Sequence, residues 1–364
     1  MSEQFTAEQL SYLQEQSLDR KIMITQTRIL EWHSKWNGNV FISFSGGKDS
    51  TVLLDLARRM YPDIPAVLFN TGLEYPEIRK FALAHEGVEE IRPLWGRAGR
   101  TRGKDPKSVV TFKDTLTYYG YPLISKQVSN VINEGRRNIA GSRYRRLHGE
   151  YLRREGGKKS QFDQSRYLPL SELPILISEK CCEVNKKGPS HIYQHRTGRK
   201  NIVATMAEES LLRRQAWLTT GCNAFNAREP ISKPMSIWRE QDVLEYITRY
   251  DTEICSVYGQ IEKTDGKLKC TGCQRTGCVY CPIGVHLEKG ETRFQRLKKT
   301  HPSLYEYCMG GGEWQPNIKY DCTITDTRVW NPKEVWGPSN GGLGMAKIFD
   351  MINAIYGKDF IRYE

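Results

Sequence analysis

Val40, Phe41, Ile42 and Phe44 form a short apolar run between Gly38-Asn39 and Ser45-Gly46-Gly47. An uninterrupted run of this length predicts a strand buried on both faces of a parallel sheet. From Thr51 the apolar positions return at helical spacing through Val52, Leu53, Leu54, Leu56 and Ala57. The pattern is strand, glycine turn, helix. Residues 66–69, 89–94 and 201–206 read as further strands. Upstream, Leu10, Leu13, Ile22, Ile24, Ile29, Leu30 and Trp32 recur among polar residues as an amphipathic helix in two segments. Near the other end, Met345, Ile348, Phe349 and Ile352 share one face of a helix opening at Gly344.

Alternating strands and helices predict an α/β fold with a parallel sheet and flanking helices. At 364 residues the chain suits two domains or one with a large appendage. The pattern divides it into an N-terminal helical segment (1–37), an α/β domain (38–250) with a basic insertion at about 97–160, and a cysteine-rich lobe (251–364). No apolar run approaches the roughly 20 residues of a membrane span, and Met1-Ser2-Glu3-Gln4-Phe5 does not read as a signal peptide. A cytoplasmic protein is expected, so its ten cysteines read as thiols or metal ligands.

The turn carries the first candidate chemistry. Paired glycines let the backbone approach a ligand, and the following helix start offers free N–H groups and a positive dipole end. Lys48 adds a charge, and Ser45, Ser50 and Thr51 add hydroxyls. Asn70, Thr71, Gly72 and Glu77 follow the second strand, where open α/β sheets bind ligands.

Ser43-Phe44-Ser45-Gly46-Gly47-Lys48-Asp49-Ser50 resembles the PP-loop of ATP pyrophosphatases and sulfonucleotide (PAPS/APS) reductases. The segment Thr71-Gly72…Pro76-Glu77 is similar to the reductases' second nucleotide motif, and Ser125-Lys126-Gln127 to a substrate-loop segment. The run Glu209-Ser210 with Arg213-Arg214 resembles a family nucleotide-closing segment, and Pro234…Trp238…Asp242-Val243 a last signature. The resemblance covers roughly residues 38–250 and implies a Rossmann-like sheet of the adenine nucleotide α-hydrolase type. It implies a nucleotide held by Ser43, Ser45, Gly46, Gly47, Lys48, Asp49, Ser50, Thr51, Asn70, Thr71, Gly72, Glu77, Lys126, Glu209, Ser210, Arg213 and Arg214, with Trp238 as packing and Asp242 as a helix-start residue. Lys48 stabilises phosphate charge, and Asp49 helps place Mg²⁺.

A second signal is Cys270-x₂-Cys273-x₄-Cys278-x₂-Cys281, which at this density reads as a zinc or iron–sulfur site. Gly272 and Gly277 read as allowing tight turns before two of these cysteines. Relatives resembling this segment imply the ligand set Cys273, Cys278, Cys281 and Cys308, with Cys270 as an extra. The tandem Cys181-Cys182 resembles the cluster-binding pair of iron–sulfur APS reductases, which makes Cys182 a further candidate. The resemblance favours a [4Fe–4S] cluster over zinc. Cys222, Cys255 and Cys322 read as packing residues.

The net charge of +12 changes the picture again, because it suggests a polyanionic partner, DNA or RNA. Arg136, Arg137, Arg143, Arg145, Arg146, Arg153 and Arg154, interleaved with tyrosines, are the candidate contacts.

Sulfonucleotide reductases attack sulfate with a late Glu-Cys-Gly-x-His cysteine, and no cysteine follows Cys322 here. The expected function is therefore ATP cleavage at the α-phosphate to activate sulfur transfer or nucleic-acid modification. The sulfur-activating ATPase of DNA phosphorothioation systems is similar, and a sulfur donor or partner protein is implied. The alternatives are a sulfonucleotide reductase and a nucleotide- or DNA-binding regulator without turnover.

Overall fold

The computed structural model describes residues 4–97, 104–151, 160, 162–317 and 330–364. Arg153, Arg154 and Cys322 lie outside them. The chain forms two compact units, residues 1–107 with 188–278, and residues 108–187 with 279–364. This differs from the division read from the sequence. Residues 251–278 belong with the glycine turn and its strands, and most of the basic insertion belongs with the C-terminal segment. Chain order misled here because each unit is assembled from two separate stretches.

The first unit is built on a six-stranded sheet. Its strands are β1 (Val40–Ser43), β2 (Ala66–Phe69), β3 (Val88–Ile91), β4 (Lys200–Ile202), β5 (Asn223–Ala224) and β6 (Ile231–Ser232). They lie in the order β3-β2-β1-β4-β6-β5. Neighbours are parallel except β5, which runs antiparallel to β6. β1 is central, with Ile42 level with Ala66 on one side and Ile202 on the other. The fold class is thus the expected α/β parallel sheet.

Both faces of β1 are covered, which is why its sequence is uninterruptedly apolar. Val40 and Ile42 join a large core with Trp32, Val52, Leu53, Leu56, Ile237 and Trp238. Phe41 points to the other face and meets Phe69 and Tyr193 edge-on. The N-terminal stretch forms helices Ala7–Gln14 and Leu18–Lys35, started by the side chains of Thr6 and Ser17. Trp238 is a packing residue whose indole N–H donates to Thr25 Oγ1 at 2.8 Å.

The second unit is mainly helical. Its larger helices include Phe112–Tyr119, Lys126–Gly135, Arg293–Thr300, Pro302–Met309 and Met345–Tyr356, beside an antiparallel hairpin of β9 (Glu313–Pro316) and β10 (Glu334–Gly337) that follows the β7 (Ile261–Thr264) and β8 (Lys267–Cys270) hairpin of the first unit. Met345, Ile348, Phe349 and Ile352 are all buried, as their spacing predicts. Among the described residues no helix is long and apolar enough to cross a membrane.

Lys21 is buried, and its Nζ lies 2.6 Å from Asp242 in the first turn of helix Glu240–Tyr250. Removing one partner of a buried pair leaves the other charge uncompensated. Lys21→Met is therefore expected to cost about 3 kcal/mol in urea unfolding, and Lys21→Met/Asp242→Asn to recover part of that loss.

Candidate functional site

In the first unit the chain leaves the carboxyl end of β1 through Phe44 and Ser45 and turns at Gly46. Gly46 has φ +72°, and a Cβ there would lie 2.8 Å from the Ile78 carbonyl oxygen. Glycine is required on both counts. Gly47 is the extended N-cap of helix Lys48–Arg58. The helix is anchored on the core by Val52, Leu53 and Leu56, so its first turn is held at the edge of the sheet.

The hydroxyls of this turn are engaged with one another. Ser45 and Ser50 have their Oγ atoms 3.1 Å apart, and Ser50 and Thr51 both donate to the Gly47 carbonyl. Ser43 sits one step back and donates to Asn201 Oδ1 at 2.7 Å, joining β1 to β4. Lys48 is buried, with Nζ 3.2 Å from Asp49 Oδ1 and 3.3 Å from Glu240 Oε1. Burial works against its charge, but the two carboxylates outweigh it and hold the ammonium above its ordinary value.

The carboxyl end of β2 makes a compact turn. Asn70 donates to Glu90 and accepts from the Gly72 N–H at 2.7 Å, while Thr71 donates to Glu74. Glu77 stands in the first turn of helix Pro76–Ala84. After β4, Ser210 caps helix Leu211–Thr220 by accepting from the Arg213 N–H. Glu209 accepts from the Met206 N–H at 2.8 Å and pairs with both Arg213 and Arg275. Arg214 is exposed.

Four participants were not assigned from the sequence, Glu240 beside Lys48 among them. The Lys48 N–H donates to Tyr258 Oη at 3.1 Å, and that phenol lies 2.6 Å from Thr276 Oγ1. Arg275 reaches Glu209. Arg275 and Thr276 lie inside the cysteine motif, so the motif masked a second use; Tyr258 carries no local signal. Gly272 packs against the 257–259 backbone, where a Cβ would lie 2.4 Å from the Val257 carbonyl oxygen, whereas a Cβ at Gly277 meets nothing within 4 Å. Close approach explains Gly272, and neither glycine has a positive φ.

The cysteines divide between the units. Cys270, Cys273 and Cys278 belong to the first, Cys181, Cys182, Cys281 and Cys308 to the second. In the second unit the Cys182 thiol falls to about 5. The hydrogen bond from Cys181 is the main cause, burial opposes it, and the Lys126 ammonium adds to it. Burial works against the Lys126 charge in turn, and the Cys182 and Cys181 sulfurs raise it nonetheless; Cys281 also contributes. Lys126, implied by the resemblance as a nucleotide contact, thus sits beside thiols. Cys308 is fully buried and its thiol is raised by burial. Its electrostatic neighbours are Tyr121, Tyr280, Tyr305 and Tyr307 rather than Cys281. Burial of this kind disfavours a thiolate in the absence of a cation. Among the described residues no group of three or more His, Cys, Asp or Glu side chains converges as a metal ion would require.

The basic stretch also needs correction. Arg136 is buried and donates to the carbonyls of Leu170, Ser171, Leu173 and Ile175, with its guanidinium 4.0 Å from the Trp330 ring centre. Burial lowers it to about 9, still a cation at neutral pH. Arg146 is buried and donates to the Phe162 carbonyl at 3.0 Å. Neither reaches a polyanion, because five guanidinium donors suit loop carbonyls that would otherwise lie buried and unpaired. Arg145 is exposed, and Arg137 and Arg143 are partly so.

Two outcomes follow from these placements. In metal-free protein, peptide-resolved alkylation at Cys182 is expected to be sustained down to about pH 5 and lost below it, since only the thiolate reacts; Lys126→Met moves that midpoint upward. Arg136→Met is expected to lower stability in urea by roughly 3 kcal/mol through its orphaned carbonyls, with no change in the salt dependence of binding to a single-stranded oligonucleotide.

The model of the phosphoadenosine phosphosulfate reductase domain matches residues 39–94, from β1 through the glycine turn to just beyond β3. Among solved structures the chain is similar to phosphoadenylyl-sulfate (PAPS) reductase from Candida auris in its phosphate complex. The two share 13% identity at a TM-score of 0.35, over 70% of this chain and 92% of that one. None of the curated proteins matches the chain. Over the segment that builds β1, its glycine turn, β2 and β3, this chain is similar to the phosphoadenosine phosphosulfate reductase domain.

Proposed function

We propose that the first unit binds an adenine nucleotide by its phosphates at the Gly46–Gly47 turn, and that the protein is an ATP pyrophosphatase of the adenylating type. The observation that carries this reading is the turn itself. A positive-φ glycine, an extended glycine and a helix start follow a central strand, with the buried Lys48 ammonium beside them. The amides of Ser45, Gly47 and Lys48 are held by Ser50 Oγ, Ser45 Oγ and Tyr258 Oη, so the dipole end, the Lys48 ammonium and these hydroxyls would meet an anion first.

In the proposed step an acceptor oxygen attacks the α-phosphorus. The new O–P bond forms as the bond to the β-phosphate oxygen breaks, and pyrophosphate carries away the electron pair. Lys48 and the loop amides stabilise charge on the phosphates. Asp49, partly exposed beside Lys48, suits the Mg²⁺ that accompanies ATP. Sulfur then displaces AMP from the activated acceptor. The net charge of +12 supports a polyanionic acceptor, with Arg145, Arg143 and Arg137 as the described residues of the basic run still open to one.

An iron–sulfur cluster is part of this proposal in the second unit. Cys182, kept as thiolate by Cys181 and Lys126, suits a cluster ligand; Cys281 and Cys308, both raised by burial, would ionise only against the charge of the cluster itself. Such a cluster would supply electrons or hold the fold. The family match over residues 39–94 favours a second reading, in which the same turn grips PAPS or APS for reduction.

Product analysis separates the two. Incubation with ATP is expected to release pyrophosphate, and incubation with PAPS or APS plus a thiol reductant to release no sulfite. Sulfite release would reverse the order of the readings. Lys48→Ala is expected to lower kcat/KM by about 100-fold or more; unchanged turnover or binding in that variant overturns both.

A further inference from the structure

The segment that carries the cysteine motif also brings hydroxyls to the glycine turn. A Cβ built on Gly47 would lie 3.2 Å from Tyr258 Oη, 3.3 Å from Ser45 Oγ and 3.5 Å from Thr276 Oγ1. Three protein hydroxyl oxygens therefore surround the Gly47 backbone. Two of them belong to residues far along the chain, in the turn at Ser256–Tyr258 and in the motif between Cys273 and Cys278.

Their hydrogen bonds have a direction. The Lys48 N–H is only a donor, so Tyr258 Oη accepts from it at 3.1 Å. Burial keeps the phenol protonated. Its proton therefore has to go somewhere, and Thr276 Oγ1 lies 2.6 Å away. The reverse arrangement, with Thr276 donating, would strand the phenol proton on a residue only 2% exposed. Stranding a donor in a buried position is costly, whereas Thr276 is partly open. The relay thus runs from the Lys48 amide to Tyr258 and on to Thr276. Thr276 has no other hydrogen-bond partner among the described residues, so its own proton is left to point outward over Gly47.

We infer that Thr276 is a ligand-binding residue that donates its hydroxyl proton to a phosphate or phosphosulfate oxygen at the glycine turn, and that Tyr258 is a positioning residue that aims it. The inference rests on the nucleotide-binding reading and adds to it. It assigns part of the cysteine motif to substrate binding, independently of whether a metal is bound.

The test is calorimetric titration of the full-length protein with inorganic pyrophosphate, ATP, PAPS and adenosine. Thr276→Val is expected to weaken pyrophosphate and ATP binding about tenfold, the size of a hydrogen bond to a charged group. Adenosine binding stays unchanged, and Thr276→Ser restores the loss. Tyr258→Phe is expected to weaken pyrophosphate binding several-fold alone and to add nothing in the Thr276→Val background, as a residue acting through Thr276 must. A Thr276→Val protein that binds pyrophosphate like wild type, or a serine that fails to rescue, overturns the inference and leaves the nucleotide reading intact. Tighter binding in Tyr258→Phe also overturns it, because the phenol would then be a competitor for the Lys48 amide. Wild-type protein that binds neither ATP, PAPS nor pyrophosphate overturns both.

Discussion

Gly46 packs so closely against the Ile78 carbonyl that no side chain fits between them, and this contact sets the geometry of everything around the candidate site. It fixes the left-handed turn at the end of β1. The turn in turn places the first residues of helix Lys48–Arg58, where the Lys48 N–H donates to Tyr258 Oη. Because the helix is clamped by Val52, Leu53 and Leu56, that start is held by a rigid element rather than by a loop free to collapse.

Burying lysines in the same unit creates an electrostatic requirement that one helix meets. Glu240 and Asp242 stand in the first turn of helix Glu240–Tyr250, where acidic groups also suit the helix dipole. Glu240 reaches Lys48, and Asp242 reaches Lys21. The same helix start thus supports the candidate site and ties the N-terminal helix to the sheet. Nearby, Glu209 plays a similar part for Arg213 and Arg275, holding two cations together with a carboxylate.

The arginine-rich stretch shows how a charge run misleads. Arg136 and Arg146 look like their neighbours in sequence, yet they cap backbone carbonyls inside the second unit. A guanidinium spreads its charge over several planar donors, so it serves as an interior clasp where an ammonium would not. The cysteines teach a similar lesson. Cys308 lies among tyrosines, and Cys182 beside Cys181 and Lys126 has the thiolate character that its motif position alone does not reveal.

The buried strands, the glycine turn and the helices on either side were legible in the chain itself. Local sequence carries those features, because an apolar run bounded by glycine has few ways to fold and a positive φ has few residues that tolerate it. Tyr258, Thr276 and Glu240 were not legible at the Lys48 turn, nor Arg275 as a partner of Glu209. Their roles depend on the chain returning to the turn some two hundred residues later. The same holds for the split of the chain into units and for the interior use of Arg136. Each is decided by which distant backbone needs a partner once the sheet is built, and no window of sequence contains both halves of that contact.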